Sequence, residues 1–425
     1  MENQLVEATT KKKGKISLAN QIVIGMLLGI IFGYFFPAYG VAIKPLGDVF
    51  LRMIKMIIVP LIFAGLILGI AGVGDFKKMG RLGFKTMVWF ELATTIALLY
   101  GLILGNVIQP GIGVDIGMAG DTSAVAQYAS KKVDVLQTFI EIIPTNFIDA
   151  MAKGNLLQIV FFSCFLGVAI ANIGEKGKIM VDAANALMQA MFKVTDYVMT
   201  MTPIAVFAFM AFTIGKYGLS MIIPLGKMLL TLYGGLLLFI CTVLMAACVL
   251  IKVKFFEVIR IFKQPIILAF TTSSSEAAMP AVMERLEKFG VPRHIVNFVI
   301  PTGYTFNMDG GTLYYCIGVL FIAQVYGIQL DWTTQLLIFA TLMVTSKGIA
   351  GVYGAAMIVL TGTIAAFGLP VEGLVLLMGI DRFMDMARTV TNLMGNIIAT
   401  LVVARWENEL PDEVIQLAYT VDYDN

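Results

Sequence analysis

Apolar runs long enough to cross a bilayer recur along this chain, at about residues 18–37, 45–72, 84–108, 135–174, 186–215 and 224–251. Each is near or above the ~20 residues that the hydrocarbon core of a membrane demands. Lipid offers no hydrogen-bond partners, so such runs are stable as helices, whose backbone groups pair internally. Of 425 residues, 59% are hydrophobic and 14% charged, where soluble domains carry about 25% charged residues. The chain therefore reads as an all-α polytopic membrane protein. Pro144-Thr-Asn and Lys153-Gly-Asn interrupt the fourth run, which is expected to break there.

Basic residues orient the spans. Lys11, Lys12, Lys13 and Lys15 precede the first run; Lys77, Lys78, Arg81 and Lys85 follow the second; Lys176 and Lys178 follow the fourth; Lys252, Lys254, Arg260 and Lys263 follow the sixth. The positive-inside rule places these groups in the cytoplasm, which gives six crossings with the N-terminus inside. No small-residue cleavage site follows the N-terminal lysines, so residues 1–16 read as a cytoplasmic tail rather than a cleaved signal. The net charge of +2 is distributed between spans and forms no patch for nucleic acid. Cys164, Cys241, Cys248 and Cys316 lie in apolar runs without metal-ligand spacing and read as buried free thiols.

After residue 260 the pattern changes. An apolar arm runs into Thr271-Thr-Ser-Ser-Ser-Glu276, and a second arm ends before Arg285 and Lys288. This segment, about 258–290, is too short and too polar at its centre to cross, yet too apolar for a loop. A re-entrant helical hairpin fits, since irregular backbone at membrane depth is tolerated where protein or a water-filled cavity lines it. Residues 334–369 repeat the pattern from the other side, around Ser346-Lys-Gly-Ile-Ala-Gly351-Val-Tyr-Gly354. A long span follows each hairpin, at about 293–324 and 372–404. The expected total is eight transmembrane helices and two opposed hairpins, with residues 406–425 as a cytoplasmic tail. Two hairpin–span units of opposite entry form an inverted repeat, and interrupted apolar segments at matching positions point to a transporter binding site.

Polar residues concentrate in the last two spans. At 100° per residue, Asp381, Asp385, Arg388, Asn392 and Asn396 fall within about 80° of one another, one stripe on an apolar helix. Ionisable groups at bilayer depth cost on the order of 3 kcal/mol each, so they need partners: a substrate, ions or both. The competing account is a self-neutralising Asp–Arg pair at i, i+3, which leaves Thr389 and the two asparagines without a purpose. In the 293–324 span, Thr305-Phe-Asn307-Met-Asp309-Gly310-Gly311 reads as a break whose freed carbonyls, with the Asp309 carboxylate, suit a hard monovalent cation. Close packing at the glycines is the alternative.

Four segments, Ser273-Ser274-Ser275-Glu276, Asn307-Met308-Asp309-Gly310, Gly351-Val352-Tyr353-Gly354 and Asp385-Met-Ala-Arg388-Thr-Val-Thr-Asn392, resemble in order the signatures of the dicarboxylate/amino-acid:cation symporter family, which includes the glutamate transporters. The resemblance covers about residues 17–405. It implies a homotrimer in which residues 17–255 are mainly a trimerisation scaffold and residues 256–405 a transport core that crosses the membrane as an elevator, with the third and sixth spans able to move with the core. It implies that Arg388 grips the side-chain carboxylate of the substrate and that Asp385 accepts its α-amino group. Thr389 and Asn392 would steady the α-carboxylate and neighbouring polar atoms. Ser274, Ser275, Gly311, Ala350, Gly351, Val352 and Gly354 would contribute contacts from the hairpin tips and the broken span. Carriers of C4-dicarboxylates in this family tend to be uncharged at the position of Asp385, so its presence favours an amino acid.

The same resemblance implies sodium sites using Thr94, Thr95, Asn307, Asp309, Asp381 and Asn392, with Thr305 and Ser346 in a further site built mainly from carbonyls. Asn396 stands where sodium-coupled relatives have an aspartate ligand, which removes one charge from that set. Glu91 stands where tyrosine is common and Glu276 follows the serine run; both resemble proton-coupled bacterial members and are the candidate proton carriers. A structural hydrogen bond or an interfacial salt bridge is the alternative for each. Gly311 replaces a usual Ser or Thr, Tyr353 a usual proline and Tyr315 a usual Gln or Glu, changes that act on pocket volume in opposite directions.

The expectation is a plasma-membrane symporter of glutamate or aspartate, driven by protons, sodium or both, with no bound cofactor and with lipid around it. A C4-dicarboxylate or neutral amino-acid carrier is the nearest rival, opposed by Arg388 and Asp385 together. An ion channel built from re-entrant hairpins is a rival of another class, opposed by the organic-anion clamp. Catalysis is not expected: the single histidine, His294, lies in a basic loop, and the spans carry no nucleophile–base pair.

Overall fold

The computed structural model describes residues 18–71, 76–113, 140, 143–347, 355–421 and 423, and every regular element among them is helical. Helices α1 (Leu18–Phe35), α2 (Pro37–Ala42), α3 (Lys44–Ala71) and α4 (Phe76–Ile108) come first. The fourth apolar run is broken into α5 (Phe147–Lys153) and α6 (Leu156–Asn172). Gly154 takes a left-handed φ of 67° between them, and the side chains of Asn146 and Asn155 cap the two helices by accepting from backbone amides of the first turn. The fifth run, expected to be continuous over 186–215, is instead α7 (Lys178–Met199) and α8 (Thr202–Tyr217), bent by 51°. Pro203 in the first turn of α8 has no N–H to donate to a preceding turn, so it begins a helix instead of extending one. Then α9 (Ile222–Phe239) passes through a π-helical turn at Ile240–Leu244 into α10 (Met245–Leu250).

In the C-terminal half, α11 (Phe255–Thr272) and α12 (Ser275–Lys288) form the first hairpin. Ser273 turns the chain with a φ of 52°, and Ser274 caps α12 by accepting from the Ala277 N–H. Arg285, which the sequence places beyond the second arm, is buried inside it and ties the arms together by donating to the Ile261 carbonyl and to Gln264 Oε1. The next span is α13 (Arg293–Phe306), an interruption at Asn307–Met308, and α14 (Asp309–Val325). Helices α15 (Trp332–Thr345) and α16 (Ala355–Ala366) are the arms of the second hairpin. Its tip, with Ala350, Gly351, Val352, Tyr353 and Gly354, lies outside the described residues, as does the side chain of Glu276. The last span is also interrupted: α17 (Leu374–Met378) stops at Gly379–Ile380, and α18 (Asp381–Trp406) starts on the polar stripe. A final helix, α19 (Asp412–Ala418), follows.

The two least apolar spans, α13–α14 and α18, are the most enclosed, while α3, α4 and α9–α10 present much of their surface outward. Lipid can surround apolar flanks but not carboxylates, so the polar helices take the centre. Around α18 pack α4, α9, α11, α12, α13 and α14, and α14 lies along α4. Asn106 and Gln335 exchange amide hydrogen bonds of 2.7 and 3.3 Å, which tie α15 to α4. A second group, α1, α3, α6, α7 and α8, packs mainly on itself. There Gly25, Gly29 and Gly33 bring α1 onto the backbone of α8. A Cβ at any of them would lie 2.5 Å from the carbonyl oxygen of Pro203, Phe207 or Ala211 respectively, a close approach of the kind that small residues four apart permit.

At one end of the bundle Glu407 receives Arg81 at 2.6 Å and Lys85 at 2.8 Å. Arg405 pairs with Asp412 and donates to the Ile251 carbonyl, and Arg260 donates to the Tyr419 carbonyl. The segment that reads as a tail thus carries a docked helix, with Leu410, Ile415 and Ala418 buried. Hydrogen bonding from Arg81 holds the Glu407 carboxyl below its ordinary range. A carboxylate depressed on folding stabilises the fold above its unfolded pKa, and that contribution disappears as pH falls through the folded value. Glu407→Gln should therefore lower the melting temperature of solubilised protein at neutral pH, with the gap to the native protein closing below the ordinary carboxylate range. A gap that persists in acid would detach this contact from ionisation.

Candidate functional site

The polar stripe of α18 converges on one guanidinium. Arg388, 2% exposed, donates from Nη2 to Asp381 Oδ1 and Asp385 Oδ1, both at 2.9 Å. Its Cζ lies 4.1 Å from the centre of the Tyr314 ring on α14, and the Tyr314 hydroxyl reaches Met357 Sδ on α16 at 3.3 Å. The Asp–Arg pair of the competing account is therefore present, but it is incomplete. Arg388 Nε and Nη1 and Asp385 Oδ2 are buried without hydrogen-bond partners. Each buried, unsatisfied polar group costs about 1–3 kcal/mol, more when charged. The leftover groups call for an anion at Arg388 and a cationic donor at Asp385.

Across from the stripe, the interruption between α13 and α14 is held by side chains of α18. Asn392 Oδ1 accepts from the Gly310 N–H at 2.8 Å and the Gly311 N–H at 3.4 Å, capping α14 from outside its own chain segment. Asn307 Nδ2 donates to Asn396 Oδ1 at 3.0 Å and to Asp309 Oδ2 at 3.4 Å. Asn307 Oδ1 and Asp309 Oδ1, both on fully buried residues, have no donor. The approach needs glycines: a Cβ on Gly310 would sit 2.6 Å from the Arg388 carbonyl oxygen, one on Gly395 would collide with Asp309 Oδ2, and one on Gly303 with Asn396 Oδ1.

Of the residues singled out from sequence, Asn307, Asp309, Asn392 and Asn396 come together at this interruption, whereas Asp381 is brought to Arg388. Thr389 is buried on α18, and Thr95 and Thr305 are half-buried. The hydroxyls of Ser275 and Ser346 are buried without partners, as are those of Ser273, which the sequence reading gave no role of its own, and Thr345, which it passed over. It also passed over Tyr314 and Lys347. Lys347 Nζ donates to Thr94 Oγ1 at 2.6 Å and to the Phe306 carbonyl at 3.2 Å, and it lies 3.3 Å from Glu91 Oε2. A lysine inside an apolar hairpin was the available signal.

Residues 18–406 match the description of the sodium:dicarboxylate symporter family. The chain belongs to that family. It is 44% identical over 410 residues to a proton/sodium-glutamate symport protein of Bacillus caldotenax, covering 94% of this chain and 96% of the relative. It is 42% identical over 392 residues to a proton/glutamate-aspartate symporter of Bacillus subtilis (strain 168), covering 92% and 95%. A C4-dicarboxylate transport protein of Rhizobium leguminosarum bv. trifolii (strain WSM2304) is 44% identical over 418 residues, covering 97% and 94%. Overall likeness to these symporters therefore leaves the substrate to individual residues.

Two residues of α14 depend on each other sterically. A Cβ on Gly311 would lie 3.2 Å from the Tyr315 hydroxyl, one turn further along α14. The glycine makes room for the tyrosine, and the fully buried Tyr315 hydroxyl has no partner. Tyr315→Phe should leave the melting temperature of the substrate-free protein unchanged or raised, since it removes an unsatisfied group, while weakening substrate binding about tenfold. Lower stability with unchanged affinity would make the hydroxyl structural. Gly395→Ala should displace the Asp309 carboxylate, costing roughly 1–3 kcal/mol by overpacking, and should raise the cation concentration needed for half-maximal uptake. Uptake with native cation dependence would remove Asp309 from the cation pathway.

Proposed function

We propose that this symporter carries acidic amino acids, glutamate or aspartate, together with sodium, protons or both. The observation that carries the reading is the unfinished cluster at Arg388, with two guanidinium nitrogens and one Asp385 oxygen buried without partners. A substrate side-chain carboxylate would take the spare Arg388 donors, a charge-assisted contact in a dry site. The α-ammonium would take Asp385 Oδ2. Thr389 and the amide nitrogen of Asn392 would meet the α-carboxylate, with Ser274, Ser275, Gly311 and the tip residues 350–354 closing round it. The Bacillus relatives bear names of this kind. The Rhizobium name supports a second reading, a C4-dicarboxylate carrier, but such a substrate has no ammonium for Asp385.

Asn307 Oδ1 and Asp309 Oδ1 are acceptors without donors, which suits a sodium ion carried as co-substrate. Glu91 and Glu276 are the proposed proton carriers, and the Glu91–Lys347 pair is the contact that such a role for Glu91 must break. In the full reading there are eight spans and two re-entrant hairpins in the cell membrane, with both termini cytoplasmic. Three copies would join through the helices of residues 17–255, while residues 256–405 move across as an elevator. The packing of α4 and α9 on α14 and α18 supports their moving with the core.

The test is uptake of labelled glutamate, aspartate and succinate into proteoliposomes under separately imposed sodium and proton gradients. Arg388→Ala should weaken binding of the acidic amino acids about 100-fold or more, the equivalent of the ~3 kcal/mol lost when one member of a buried charge pair is removed. Asp385→Ser should weaken amino-acid binding and shift preference toward succinate. Native affinity in the first variant, or equal losses for both substrate types in the second, would overturn these assignments. Counterflow of labelled substrate distinguishes a carrier from a channel.

A further inference from the structure

The second hairpin holds a positive charge that the substrate site does not use. Lys347 lies just past the end of α15 with its side chain 13% exposed. Its ammonium has three N–H bonds, and three oxygens surround it: Thr94 Oγ1 at 2.6 Å, the Phe306 carbonyl at 3.2 Å and Glu91 Oε2 at 3.3 Å. The Thr94 hydroxyl donates its own proton to the Phe90 carbonyl at 2.7 Å, so a lone pair is left for the lysine. Phe306 is the last residue of α13, and the interruption after it leaves its carbonyl outside the helical ladder. A hydroxyl, a helix-terminal carbonyl and a nearby carboxylate are the oxygen donors that a hard monovalent cation takes. Here an ammonium from another segment of the chain already sits among them.

We propose that the Lys347 ammonium is a tethered cation that takes the place of a sodium ion at Thr94 and the Phe306 carbonyl, so that one fixed charge on the second hairpin replaces one co-transported ion. The proposal rests on the symporter reading and refines its ion requirement. Under it Thr94, expected from the sequence to be a sodium ligand, accepts from a covalently held donor instead. A free ion stabilises a site in proportion to the logarithm of its concentration. A tethered one does so independently of concentration, so this position would contribute nothing to sodium dependence. The asparagine and aspartate oxygens at the interruption would remain for a free cation.

The experiment measures melting of the solubilised full-length protein without substrate, over a sodium series at constant ionic strength with choline as replacement. Lys347→Met should acquire a sodium-dependent rise in melting temperature beyond that of the native protein, and adding Thr94→Ala should cancel the acquired part. A Lys347→Met protein with the native sodium response overturns the proposal, as does an acquired response that survives loss of Thr94. Should Lys347→Met fail to fold, Thr94→Ala alone decides. In the native background it should shift half-saturating sodium by less than about twofold, whereas a shift of about tenfold would show a sodium ion already bound to that hydroxyl. Since melting needs no substrate, failure here is distinguishable from failure of the symporter reading, which would appear as absent uptake in native proteoliposomes.

Discussion

The interruption at Asn307–Met308 is the constraint on which the rest of the molecule turns. Breaking a helix in a low-dielectric interior strands carbonyls at one end and amides at the other, and lipid can satisfy neither. In this chain α18 supplies the missing partners, with Asn392 on the amides of Gly310 and Gly311 and Asn396 on Asn307. Side chains as short as asparagine reach that far only if the backbones nearly touch, which Gly303, Gly310 and Gly395 allow. Once those helices meet, Arg388 and its two acids are fixed beside the interruption, and every surrounding helix is positioned by the need to cover them.

Charge explains the arrangement of layers. A buried ion cluster is weak evidence for stability, because desolvation opposes the attraction it gains. A cluster assembled for stability alone would also pair its donors and acceptors fully, and this one leaves Arg388 and Asp385 partly unmatched. Some supporting contacts are made. The Tyr314 ring covers the guanidinium face, and the Tyr233 hydroxyl on α9 donates to the Phe383 carbonyl at 2.8 Å beside the stripe. The Tyr315 hydroxyl and the Asn307 and Asp309 oxygens nearby are left unmatched as well, so the unpaired groups extend from the guanidinium to the interruption.

Much of the helix order was legible along the chain, because apolar run length and the break signals at Pro144-Thr-Asn and Lys153-Gly-Asn are local properties. So was the polar stripe, which helical period alone puts on one face. The bend between α7 and α8 was not read, although Pro203 in the first turn of α8 marks it, and neither was the stop of α17 at Gly379–Ile380, because residues 372–404 read as one span. Arg285 was placed beyond the arm it in fact closes, because a basic residue near an apolar arm looks the same from sequence whether it meets water or a carbonyl of the opposite arm. The packing of the C-terminal segment was not legible for a related reason: the apolar residues of α19 are too few to read as a span, yet Ile415 and Ala418 are buried and Tyr419 after them bonds the Lys254 N–H and Arg260.

What the sequence by itself determined is the class of molecule and the chemistry available to it: an all-helical membrane protein, with carboxylates, amides and a guanidinium on one helix face. These follow from composition and period, which are sums over neighbours in the chain. Which group faces which was decided by the tertiary structure. Asp381 pairs with Arg388 instead of joining the residues at the interruption, Gly311 gives way to Tyr315, and a lysine more than 250 residues from Thr94 fills the oxygen cage around it. Hydrogen bonds and ion pairs act over about 3 Å, and no feature of a linear pattern reports that distance between segments far apart in the chain.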